Sequence, residues 1–333
     1  APVPNECETN GMKTIFKTAP LLLLIPIGSN TAYAEEPYPS RPIRLVLGFA
    51  AGGGTDVIAR GIAQKMGDAM GGQVFVDNVT GANGNIGSDQ VAKSRADGYT
   101  LLYNTSALIL SPSLYTKLPY SYKDFQPVAL TASLPIILVA SPKSPYKSAS
   151  DLIAAIKANP GRLNYASAGN GNITHLSALL LLQAIGGSAT HVPYKGEAPA
   201  VTDVASGQVD FYAGTSAGVI PFIKDKRLIA LAVGTEKRMS GLPDVPTLSE
   251  VVGKPLELGA WSGIVAPAGT KPEIVAKLNT AIQTALKDKD LMVRLAEQGA
   301  EPKHGTPVQY GRFITDEHER WDRIIKSNNA RID

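Results

Sequence analysis

From Ile43 onward, short apolar runs alternate with stretches whose apolar residues recur every three or four positions, the signature of α/β layers with mainly parallel strands. IRLVLGF (43–49), GYTLLYNT (98–105) and LPIILVASP (134–142) read as strands. The first leads into FAAGGGTDVIAR (49–60), behind whose glycines Ile58, Ile62 and Met66 recur every fourth position. That spacing predicts a helix starting at Thr55 or Asp56, either of which can cap it. The plan then repeats: Ser150 caps a helix that stops at Pro160-Gly161, LNYASA (163–168) is a strand, and GNGNITH opens the apolar helix LSALLLLQAI. VDFYAG (209–214) and RLIALAVG (227–234) add strands, and GLPDVPTLSE (241–250) is a proline-rich connection. Pro272 marks the start of a helical region that runs to Asp333.

The extended stretches near 134–142 and 259–267 are flanked by different blocks, so they are expected to cross between two lobes. One lobe is then discontinuous, residues 36–138 plus 264–333, and residues 139–263 form the other.

Ahead of these elements the chain looks like a removable address. Met12 reads as the initiator, Lys13 and Lys17 supply positive charge, PLLLLIPIG is a short apolar stretch, and Ala32-Tyr33-Ala34 fits a cleavage site. The expectation is export to the periplasm with cleavage after Ala34, residues 1–34 being removed. The apolar run is too short for a membrane span, which needs about 20 residues. The one cysteine, Cys7, falls in the removed part, so no disulfide or lipid attachment is expected. With 32 basic and 29 acidic residues spread without runs, no basic stripe points to nucleic acid or anionic lipid.

Both glycine turns open helices. A helix N-terminus carries about half a positive charge and unpaired N–H donors, which suits an anion. Nucleotide phosphate is disfavoured, because the first turn lacks the lysine of the phosphate-binding loop and does not fit G-x-G-x-x-G. If the turns face each other, Thr55, Asn170, Asn172 and Thr174 can enclose one small anion; a tight connection with no ligand is the alternative. TGANGNIGSDQ (80–90) opens another helix, with Asn83 and Asn85 either as polar contacts or as left-handed turn residues. Asn104, Thr105 and Ser106 end a strand at the edge where α/β sheets bind ligands, or serve as caps. His175, His191 and Lys195 are either ligand contacts or structural partners, and Tyr194 and Trp261 either wall a cleft or pack. Asp56 is most simply a cap, with Asp203 and Asp210 near other loops. No H-E-x-x-H, cysteine pair or G-x-S-x-G is present, so neither a metal site, a cofactor nor a catalytic serine is expected.

Taken in order, FAAGGGTDVIAR, NVTGANGNIGSDQVAKSRADGYTLLYNT, YASAGNGNITHL, HVPYKGEAPAVTDVASGQVDF and VAPAGTKPEIVAKLN closely resemble the Bug family, periplasmic solute receptors of tripartite tricarboxylate transporters. The likeness spans nearly all of residues 38–330. It implies a two-lobed periplasmic-binding-protein fold, type II-like, with two α/β domains joined by crossing strands around a ligand cleft. It further implies a monomeric, non-enzymatic receptor that delivers a small organic carboxylate to the transporter's membrane subunits, without inserting into the membrane itself. The site residues carried over are Ala51, Gly52, Gly53, Gly54, Thr55 and Asp56 in the first turn, and Gly169, Asn170, Gly171, Asn172, Thr174 and His175 in the second. Asn104, Thr105, Ser106, Tyr194 and Asp210 are expected nearby. Asn172 and Ile173 stand where the family often carries small hydroxyl residues, so the hydrogen-bond pattern differs there. The readings from other classes are an enzyme acting on a carboxylated or phosphorylated metabolite, and a sensing module for a signalling protein.

Overall fold

A computed structural model describes residues 37–327 and the single residue Gly11. Cys7, Met12, the proposed cleavage motif and residues 328–333 lie outside the described residues. The first strands are β1 (Ile43–Leu47), β2 (Val74–Asn78), β3 (Thr100–Thr105) and the long β4 (Phe125–Ala140), joined through helices α1 (Gly54–Met70), α2 (Asn85–Ala92) and α3 (Ala107–Leu114). Next come α4 (Ala149–Ala158), β5 (Asn164–Ser167), α5 (Ile173–Ile185), β6 (Thr190–Pro193), α6 (Glu197–Ser206), β7 (Phe211–Thr215), α7 (Ser216–Lys224), β8 (Ile229–Val233) and α8 (Leu248–Val252). The chain closes with β9 (Gly259–Pro267), α9 (Pro272–Ala285), α10 (Lys289–Glu297), β10 (Glu301–Pro302) and α11 (Pro307–Ser327).

The pairing makes two lobes from one continuous network. Strands β2, β1 and β3 run parallel, and β9 joins β3 antiparallel. The first part of β4, Phe125 to Pro135, pairs with β9, whereas Ile136 to Ala140 pair with β7 and β8. One strand therefore changes sheets partway along. In the second sheet β7, β5 and β6 are parallel.

The apolar run at the end of β4 is continuous because both faces of the sheet are covered. Ile136, Leu138 and Ala140 pack with Leu152, Leu181 and Phe211 on one face; Ile137 and Val139 pack with Val201, Val204 and Val219 on the other. Helix α1 buries Ile58, Ile62 and Met66 in the core of the first lobe. Full burial of each such side chain contributes about 1.5–3 kcal/mol.

Two capping assignments are corrected. Helix α1 begins at Gly54 with Gly53 as its N-cap and no side-chain cap, so neither Thr55 nor Asp56 caps it. Asp56 is instead held inside the turn, beneath the glycines. At α4 the cap is Ser148, whose hydroxyl accepts from Asp151 N–H while Asp151 accepts from Ser148 N–H. Ser150 lies inside the helix and has no acid three residues on to complete such a reciprocal pair. Among the described residues, no helix is long and apolar enough to cross a membrane.

Candidate functional site

The first lobe's parallel strands deliver their following turns to one edge: residues 48–53 after β1, 79–84 after β2, and Ser106 after β3. The second lobe does the same with residues 168–172, 194–196 and Thr215. These two edges meet. The Asn172 amide donates to Asn83 Oδ1 at 3.1 Å across the lobes, and Ile173, Leu176 and Ala217 pack into the first lobe's core. At Gly54 the approach is close enough that an added Cβ would lie 2.6 Å from both the Cβ and the carbonyl oxygen of Ala217.

The three glycines of the first turn do different work. Gly52 has φ +81°, which L side chains adopt at a cost. Gly53 has ordinary extended geometry, and a Cβ there would find only Ala50 O, at 3.8 Å, so the space over it is open. Gly54 is confined by the opposite lobe. Asp56, buried beneath the turn, accepts from Gly52 N–H at 3.0 Å, from Arg60 at 2.9 Å and from Asn78 at 2.9 Å. Burial by itself raises its pKa, but these donors together hold it below the ordinary carboxylate value. Its oxygens thus brace the loop from behind. The first N–H groups of α1, on Gly53 through Asp56, lack intrahelical partners and form the donor set of this end.

In the second turn Asn172 caps α5, accepting from Thr174 N–H at 3.1 Å. That bond fixes the amide so that its nitrogen faces Asn83 Oδ1. Asn83 stands at φ +55°, and its own amide nitrogen is enclosed without a partner. Thr174 Oγ1 accepts from Ala168 N–H, and Gly171, at φ +68°, donates its N–H to His175 Nδ1 at 3.1 Å. The His175 ring lies parallel on His191, centroids 4.0 Å apart, and His191 in turn stacks on Tyr165. His191 Nε2 is 2.6 Å from Ser167 Oγ, which accepts from Gly169 N–H. Burial pushes His175 down; burial and then the neighbouring His175 push His191 to about 4. Both rings are therefore neutral near pH 7. They hold the turn's N–H groups in place and add no positive charge.

The other predicted residues are divided. Ala51 and Asn170 are exposed on their turns, and Thr55 sits in the first turn of α1. Asn104 is buried with its amide 2.8 Å from the Tyr310 hydroxyl, so its side chain serves the core. Thr105 Oγ1 accepts from Ala107 N–H, and Ser106 Oγ from Trp261 N–H. Tyr194 donates its hydroxyl to Asp203 at 2.6 Å, while its backbone lies against Gly169. Asp210 is set apart: it accepts from Asn164 N–H at the start of β5, the end of the strand opposite the glycine turn. Asn85 faces inward, accepting from Ser111 and Tyr120.

One residue that the sequence pattern did not single out is central here. The carboxyl of Glu197, at the start of α6, accepts from Tyr212 O–H at 3.0 Å and from Thr215 N–H at 2.9 Å. The available signal was a threonine cap in TSAG with no acid three residues on, which leaves a partner to be found elsewhere.

The family model described as "Tripartite tricarboxylate transporter family receptor" matches residues 58–330. Protein BugT of Bordetella pertussis is 37% identical over 302 residues, covering 90% of this chain and 93% of its own length. The solved structure of the periplasmic binding protein BugD superposes with a TM-score of 0.83 at 34% identity, covering 88% of this chain and 99% of that one. Rpa4515 of R. palustris, solved with adipate, gives a TM-score of 0.84 at 35% identity, with 88% of this chain and 98% of that one covered.

Proposed function

The chain belongs to the tripartite tricarboxylate transporter receptor family, and from that premise we propose that it captures a small organic dicarboxylate between its two glycine turns and passes it to the membrane subunits of such a transporter. As a member of this family it is a periplasmic solute-binding receptor with the two-lobed fold, not an enzyme.

The observation that carries the proposal is the meeting of two donor-rich helix ends from different lobes. The N–H groups of Gly53 to Asp56 and, at the start of α5, those of Ile173 and His175, which the turn's own hydrogen bonds leave unused, stand at the edge where Asn172 reaches Asn83. Two partial positive charges at one edge suit an anionic head group. Asn83 supports this reading, since its amide nitrogen is left without a hydrogen-bond partner where the two turns meet. The open space over Gly53 lets a solute reach the backbone. One carboxylate then takes Ala51 to Thr55 and Gly169 to His175, with Asp56 as brace, and the distal group sets selectivity. The adipate held by Rpa4515 is a molecule of this class. Asn104 and Asp210, engaged elsewhere, fall outside the contact set.

In this reading the lobes are residues 36–138 with 264–333 and residues 139–263, a division supported by β4 exchanging β9 for β7 and β8 as its partners near the first boundary. Export with cleavage after Ala34 and a monomeric state complete it; N-terminal sequencing of the periplasmic protein and its sedimentation measure these two points. The central test is a thermal-shift panel of succinate, malate, adipate and citrate against neutral sugars. A solute at about 100 times its dissociation constant adds about 2.7 kcal/mol of stability. Stabilisation by sugars and by none of the acids would overturn the assignment.

A further inference from the structure

Helix α7 has an incomplete cap. Its N-cap Thr215 accepts from Gly218 N–H at 3.3 Å, half of a reciprocal capping pair. The other half needs an acid at the third helical position, and that position is Gly218, which has no side chain. The missing carboxylate comes from α6. Glu197 Oε1 accepts from Thr215 N–H at 2.9 Å and Oε2 accepts from Thr215 O–H at 2.9 Å, with Tyr212 O–H as third donor. A Cβ built on Gly218 would fall on the Glu197 carboxyl itself. Gly218 thus leaves the room that Glu197 fills, and the capping pair is completed from a neighbouring helix.

The location gives this tie a consequence. The next residues, Ser216 and Ala217, are where the second lobe meets the first: Ala217 lies against Gly54 and Ser216 against Gly299. The N-termini of α1 and α7 therefore face each other, each with a partial positive charge. Bringing them together is unfavourable unless negative charge lies close by. At α1, Asp56 is already paired with Arg60. At α7, Glu197 has no basic partner among its hydrogen bonds; burial raises its pKa, and what opposes that and favours the carboxylate is that Tyr212 O–H, Thr215 N–H and Thr215 O–H all donate to it.

We propose that Glu197 is a positioning residue for lobe closure: it caps α7 from outside, sets Ser216 and Ala217 where the first lobe seats on them, and offsets the two facing helix ends. The same tie keeps the α7 terminus filled by a resident carboxylate, so the solute's own carboxylate is left to the α1 and α5 turns. This rests on the receptor reading for its link to capture, but closure itself is measured without any solute.

The test uses the chain with Cys7→Ser and spin labels on cysteines placed at exposed Lys157 and Lys277, one per lobe. The ratio of touching to separated lobes is read by pulsed dipolar spectroscopy, first solute-free and then with adipate. Glu197→Gln keeps the shape and removes the charge; it lowers the ratio about 2- to 5-fold, the range expected of one helix-end charge. Glu197→Ala lowers it further. Glu197→Ala combined with Gly218→Glu moves the carboxylate onto α7 itself and restores the ratio, which a purely structural role for residue 197 does not predict. The proposal is overturned if the variants lose thermal stability with an unchanged ratio, or if wild type never populates the touching arrangement. Should the double variant fail to fold, Glu197→Gln decides alone. Failure of every carboxylate to bind removes the solute assignment, while the solute-free ratio still tests Glu197 independently.

Discussion

Gly54→Ala separates capture from folding. The new methyl group would lie 2.6 Å from the Ala217 Cβ and carbonyl oxygen and 2.7 Å from its carbonyl carbon. Carbon atoms rest about 3.5–4.0 Å apart, so the lobes must part by about 1 Å at this point. The obstacle is partly backbone, which cannot rotate away as the tip of a side chain does. Overpacking of this kind costs about 1–3 kcal/mol, and here only the touching arrangement bears it. The separated arrangement gains slightly, because alanine is a better helix former than glycine. A solute bound by the touching lobes should therefore lose about 5- to 150-fold in affinity, the ratio equivalent to that free energy. Titration calorimetry with the tightest-binding acid of the panel, beside solute-free thermal unfolding, measures both sides. Expected are a weakened dissociation constant and an unfolding temperature equal to or above wild type. Adding Ala217→Gly restores affinity only in part, since the carbonyl remains. Wild-type affinity in Gly54→Ala would refute the reasoning, as would a loss of affinity matched by an equal loss of solute-free stability.

Three further outcomes follow from the same geometry. The folded-state pKa of His191 is depressed to about 4, so the unfolded chain binds the proton more readily between there and the ordinary value near 6.5; stability falls as pH drops through this window, and His191→Gln should flatten that decline in urea melts at stepped pH. Asn172→Ala removes both the α5 cap and the bridge to Asn83; it should cost about 1 kcal/mol of stability and weaken the acid's binding in the same calorimetric titration. Asp56 carries the opposite chemistry with the same pH sign: its lowered pKa contributes stability above its unfolded value that is lost on acidification, and Asp56→Asn should lower the neutral-pH unfolding temperature while reducing its acid dependence.

Much of the architecture was legible along the chain because it depends on near neighbours. The interval of four at Ile58, Ile62 and Met66 is a property of one helix, and a glycine turn between a strand and a helix spans a few residues. Both turns were readable for that reason. Caps were less secure, since several small polar residues sit side by side: Ser148 and Ser150 look alike until the acid at Asp151 is seen to bond back. Polar residues at strand ends were the least secure. Asn104 and Asp210 looked alike as candidates, yet one amide turns to Tyr310, 206 residues away, and one carboxylate braces the far end of β5.

What the sequence alone determined is the α/β class with several of its strands and helices, the two glycine turns, and the family to which their succession belongs, whereas β2 and β10 came only with the structure; the former rest on periodicity and on backbone freedom at short range. Only the tertiary structure decided which glycine faces open space and which faces the other lobe, that two neutral histidines stack behind the second turn, and that Glu197 completes a cap on another helix. The physical reason is distance along the chain. A hydrogen bond or a methyl-sized clash acts over a few ångströms in space, and nothing in the local pattern around residue 54 or 197 records which residue the fold will bring there.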